Sequence, residues 1–239
     1  MADGRIKVEE DTMTSTLIVN ENVAWMPTAS AFEFILNLII RELEAHNDES
    51  VLSKLDQNEP YYLELTTLPN NAFKKMLLAA EEAFEHIAIK SGNEYGLDQQ
   101  RFRSRLILFS QLKALMKDDP RIEKERDVIG RLVISTDMIW TAKNPWFDMV
   151  LENLALRVED DLVAKLLLDA RLRRGSISDL KNLTDSQFHQ FLAAVEFLHE
   201  RHGQGIGPGM KAFEFFETLG SYVVELHRMA TTDSRAQQT

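Results

Sequence analysis

The chain has no cysteine among its 239 residues. Disulfides, thiolate metal sites and a cysteine nucleophile are therefore excluded, and any metal would have to be held by His and carboxylate groups. Long apolar runs are also missing. The most apolar stretch, Phe34 to Ile40, is far short of the about 20 residues that span a bilayer. Residues 1–16 lack the apolar segment of a signal peptide. These features lead to an expectation of a cytoplasmic protein.

Basic charge is in short supply. Lys and Arg number 27 against 38 Asp and Glu, for a net charge of -11. The first 120 residues carry 12 basic and 20 acidic side chains, so the excess is concentrated there. A phosphate backbone or an anionic membrane surface needs a basic stripe, so no nucleic acid and no membrane is expected as a partner. A basic protein partner is compatible, because opposite fields speed encounter. With 44% hydrophobic residues the chain can still build a sizeable core.

What the sequence does contain is a pattern that recurs 115 positions on. Leu17-Ile18-Val19 aligns with Leu132-Val133-Ile134, Trp25 with Trp140, and Phe32 with Phe147. The register continues through Leu65 and Leu180, Phe73 and Phe188, Glu81 and Glu196, and Glu85 and Glu200. About 13 identities fall in about 69 ungapped positions, against about 4 expected by chance. Beyond the next loop the offset becomes 111, with Phe102 matching Phe213 and Leu115 matching Leu226. Amphipathic helices imitate one another's apolar spacing, but paired tryptophans and one offset held across several loops are harder to imitate.

The expected fold class is mostly α, or α+β with short strands, in two pseudo-symmetric helical halves from an internal duplication. The expected organisation is an N-terminal arm (1–13), a first half (14–117), a charged linker (118–128), a second half (129–229) and a disordered tail (230–239). Each half reads as a β-rich run, a helix, a second helix near 48–57 or 159–174, an extended segment, and two further helices. Ser30-Ala31-Phe32-Glu33 has capping-box spacing, and Asn144-Pro145 reads as an N-cap with Pro in the first helical position. Thr184 with Gln187 forms another capping box. The β-rich runs have two options: to pair with each other, or each with the extended segment of its own half. Trp25 and Trp140 are expected to anchor the first helix of each half onto the core.

Candidate chemistry is sparse. The loop from His202 to Gly209 is glycine-rich and precedes a helix, but it lacks the Gly-Lys-Ser/Thr of a Walker motif and follows a helix rather than a strand. A flexible connection is the simpler reading. Glu196 and His199 have the Glu-x-x-His spacing of carboxylate-bridged metal sites, but the first half has Phe84 where the second has His199. That pair is the metal alternative, set against plain solvated charge. Glu81 with Glu85, and Glu196 with Glu200, are carboxylates one helical turn apart in both halves. They are the candidate partner-binding residues, suited to accepting Arg or Lys from another protein. No catalytic residue and no cofactor is expected.

The leading expectation is a non-enzymatic acidic helical protein that binds another protein, with an immunity or antitoxin-like protein or an adaptor as concrete forms. Homodimerisation through apolar helices is a further form of partner. The alternative is an enzyme or a small-ligand or metal-binding protein with a site between the two halves.

Overall fold

The computed structural model describes residues 14–55, 61–88, 90, 92–122, 128–172, 177–201 and 213–237. Among them the chain is mostly helical with a few short strands. The first half runs β1 (Thr16–Asn20), β2 (Val23–Trp25), α1 (Ala29–Ala45), α2 (Glu49–Leu55), β3 (Tyr62–Glu64), α3 (Asn70–Ala88), α4 (Gln99–Lys117) and a 3-10 turn at Pro120–Ile122. The second half follows the same order: β4 (Ile129–Ser135), β5 (Met138–Lys143), α5 (Trp146–Ala155), α6 (Asp161–Leu172), β6 (Ile177–Asp179), α7 (Asp185–Arg201), α8 (Phe213–Thr232) and a 3-10 turn at Ser234–Gln237.

Strand pairing stays within each half. β1 sits between antiparallel β2 and parallel β3, and β4 sits between antiparallel β5 and parallel β6. The register is the same in both sheets at an offset of 115. Leu17 faces Trp25 and Leu63, while Leu132 faces Trp140 and Ser178. The hairpin irregularity also falls at matching places, between Ile18 and Asn20 and between Val133 and Ser135. A β-bulge of this kind bends the strand and strengthens its twist.

Alternation in β1 buries Leu17 and Val19 on one face, in the hydrophobic core. Trp25 and Trp140 are buried, and each stacks on the first helix of its half, on Phe32 at 6.4 Å and Phe147 at 5.5 Å between ring centroids. Both are strand residues, which places the anchors on the sheet rather than after it. At Gly130 the strand runs so close to Phe147 that a Cβ would lie 2.2 Å from its ring. Only glycine allows that approach.

Two helix starts differ from expectation. α1 begins at Ala29 with Thr28 as its N-cap, and no side chain caps it, so the Ser30 capping box does not form. Thr28 is bridged to Thr14, and this strand-like contact fixes where the chain turns into the helix. α5 is capped by Pro145 rather than Asn144, again without a side-chain cap. Asn144 is still occupied in the hairpin, donating its N–H to the Val128 carbonyl at 2.8 Å. The Thr184 box does form: the Gln187 N–H donates to Thr184 Oγ1 and the Thr184 N–H to Gln187 Oε1.

Parts of the expected linker and tail are folded against the two halves. α4 stops at Lys117, and Pro120 opens a 3-10 turn that sets Arg121 over the Phe73 ring at 3.6 Å. Arg121 donates to the Val19 carbonyl at 2.6 Å, to the Leu65 carbonyl at 2.8 Å and to buried Asp119 at 2.7 Å. Residues 230–237 are ordered in the same way. α8 continues to Thr232, and Arg235 lies over Phe188 at 3.9 Å. It donates to the Ile134 carbonyl at 2.6 Å, the Leu180 carbonyl at 2.9 Å and buried Asp233 at 2.9 Å.

Each arginine therefore ties its central strand to the loop after the parallel strand, satisfying carbonyls that the short strands leave over. Burial would raise Asp119 and Asp233, but hydrogen bonds from the arginine of each pair hold both below their ordinary values. The polar composition that suggests disorder is here the composition of a clamp. The glycine-rich loop from His202 to Gly209 lies outside the described residues.

Candidate functional site

The four matched carboxylates lie on α3 and α7. Glu85, Glu196 and Glu200 are exposed, while Glu81 is half-buried. Leu78 is exposed on α3 one turn before Glu81 and Glu82, and Phe197 is exposed on α7 beside Glu196 and one turn before Glu200. Each helix thus carries one exposed apolar side chain with glutamates beside it or a turn away, and the Arg157 guanidinium lies over part of the Phe197 ring, 4.7 Å from its centroid. The faces are not equivalent in detail: Glu81 is bound to Lys117 of α4 at 2.6 Å, whereas Glu196 points outward on α7.

Glu81 leads into the junction of the two halves, where α4 packs on α5. Lys113 is buried there and meets the buried Glu152 at 2.6 Å, and Ser110 donates to the other Glu152 oxygen. Lys113 also sits over the Phe84 ring at 3.7 Å. One turn along, Lys117 bridges Glu81 and Asp148, the latter at 2.8 Å. Burial would lower Lys117, but Asp148 and Glu81 together hold it above the ordinary lysine range. Burial pushes Asp148 up, with the Glu152 carboxylate adding to the rise, against the pull of Lys117. The lysine gains from two carboxylates, whereas for Asp148 burial outweighs the one ammonium that it shares with Glu81.

Among the described residues no group of three metal-binding donors includes Glu196 or His199. The His199 ring stacks on His227 of α8 at 4.0 Å, and Glu196 is exposed on the same helix. Phe84, which stands at the His199 position in the first half, is fully buried under Lys113. Helical spacing alone could not reveal the α8 neighbour or the lysine.

A different group of donors comes together between α1 and α3. These helices run antiparallel, so Glu42 and His46 of one face His86 and Glu82 of the other. His46 Nε2 lies 2.6 Å from Glu82 Oε2, and His86 Nδ1 lies 2.9 Å from Glu42 Oε1. Donor atoms of Glu42, His46 and Glu82 lie within 4.8 Å of one another. The Glu82 hydrogen bond, followed by its charge, raises His46 above the ordinary histidine value. These residues do not come together in any single stretch of sequence. Their signal was a Glu-x-x-x-His spacing occurring twice, on two helices whose pairing had to be known first.

No protein-family model, curated protein or solved structure matches the chain. Among the described residues no helix is long and apolar enough to cross a membrane.

Proposed function

We propose that the protein binds another protein, presenting the outer faces of α3 and α7 to a partner with basic side chains around an apolar pocket. The observation that carries this reading is the exposed Leu78 and Phe197, each set among exposed or half-buried glutamates on its own helix. Apolar anchors ringed by charge suit an interface, in which the anchor supplies affinity and the rim supplies orientation. An acidic protein that occupies a basic partner can neutralise it, and an immunity or antitoxin-like role, or an adaptor role, in the cytoplasm follows from that chemistry.

We also read the two halves as products of an internal duplication. An offset of 115 shared by the sequence identities and the strand registers supports it, as do the Arg121 and Arg235 contacts, whose accepting carbonyls on Val19 and Ile134 keep that offset. Related sequences that kept one half's pattern while losing the other's shared positions would count against that origin.

The test of binding is a pull-down from the source lysate with wild type and with the E85K/E196K/E200K variant. The expected result is a stoichiometric partner held by wild type, weakened by salt and lost by the variant. Absence of any stoichiometric partner, or equal recovery by the variant, overturns the reading.

A further inference from the structure

We propose that Glu42, His46, Glu82 and His86 form a binding site for a divalent transition-metal ion of the zinc type at the α1–α3 crossing. The donor set is the first reason. Two imidazoles and two carboxylates suit zinc, nickel, cobalt or copper, whereas calcium and magnesium favour all-oxygen sites. The second is placement: each helix contributes a Glu and a His one turn apart, so both side chains of each pair leave the same face. Antiparallel packing then brings the two pairs together in the crossed sense, Glu opposite His.

The donor atoms are close enough for small rotamer changes to complete a site. Bonds of roughly 2.0–2.2 Å require donor atoms on the order of 3.3 Å apart around a tetrahedral ion. His46 and Glu82 are already at 2.6 Å, His86 and Glu42 at 2.9 Å, and the three donors that include both carboxylates are within 4.8 Å. The carboxylates are the less exposed members, at 19% and 32%, and the imidazoles the more exposed, at 48% and 67%. The glutamates are thus held in place while the histidines leave an open route for an ion to enter.

The fold itself does not demand these donors. In the second half, 115 positions after Glu42 and Glu82, stand Arg157 and Phe197, and the guanidinium lies over that ring at 4.7 Å. A cation–π contact there takes the place of the Glu42 and Glu82 pair, and Asp161 and Arg201 stand in the sequence where His46 and His86 do. The four donors of the first half are a feature of that half alone, and they do not rest on the partner-binding reading.

The experiment is titration of chelator-treated full-length protein with ZnCl2 and NiCl2, followed by calorimetry and by thermal melting. The expected result is saturable uptake of one equivalent and a melting temperature that climbs with metal concentration, with no response to MgCl2 or CaCl2. H46A and H86A are each expected to weaken binding roughly tenfold or more and the double variant to abolish it, while H199A/H202A leaves it unchanged. Circular dichroism of the variants establishes that these surface changes leave the fold intact. No saturable uptake at roughly millimolar metal, or uptake that survives H46A/H86A, overturns the proposal.

Discussion

Lys113 and Glu152 form an ion pair at 2.6 Å in which the lysine side chain is 3% exposed and the glutamate 1%. They come from α4 and α5, so the pair crosses the junction of the two halves. Removing water from two charges is costly, and their attraction repays it only when geometry is good and the remaining hydrogen bonds are met. Ser110 meets one of those on Glu152, and the Phe84 ring face receives the ammonium.

Breaking this pair from one side should therefore be severe. K113M or E152L alone leaves a buried, unpaired charge and is expected to lose about 3–5 kcal/mol in urea unfolding. The double variant K113M/E152L is expected to recover most of that loss, because neither charge remains to be desolvated. Single changes that cost under about 1 kcal/mol would show that the junction is wetter than its burial implies.

The Arg235 clamp makes a prediction about the end of the described chain. Deleting residues 233–239, or introducing R235A, is expected to cost about 2–4 kcal/mol. R121A should cost a similar amount, since Arg121 makes the corresponding contacts in the first half. A disordered tail would instead leave the urea midpoint unchanged, which makes the deletion decisive.

Lys117 gives a pH dependence with a definite sign. Its protonated form is favoured in the folded state, so its folded value lies above the unfolded one of about 10.4. The stability it contributes is fully present below that unfolded value and disappears as pH rises through the folded value. The stability difference between wild type and K117M should stay flat from about pH 7 to 9 and shrink above about pH 10.4. A difference that vanished on approaching pH 7 would point to a carboxylate or histidine as its source.

Much of the fold was legible because it rests on local patterns. The β-rich runs around Leu17 to Val19 and Leu132 to Ile134 and the Thr184 box depend on residues within a turn or two of one another. The paired tryptophans marked core positions for the same reason. What stayed hidden depends on tertiary neighbours. Asn144 falls one residue before the N-cap Pro145, with its backbone N–H in the hairpin, and Arg235 in the polar run after α8 meets carbonyls 55 and 101 residues away.

The candidate sites divide along the same line. Glu85, Glu196 and Glu200 are exposed as helical spacing suggests, but Glu81 is drawn to Lys117, which the sequence places on a separate helix. The His46 and Glu82 contact needs α1 and α3 to be known as antiparallel neighbours before its residues can be read together.

The two arginine clamps also bear on the order in which the protein can be made. Arg121 reaches back 102 residues to Val19, and Arg235 reaches back 101 to Ile134. Every strand and helix that a clamp secures is synthesised before its arginine emerges. A growing chain can therefore complete the first sheet once Arg121 is free of the ribosome, before the second half has emerged, and Lys113 and Lys117 then wait with their partners on α5 yet to arrive.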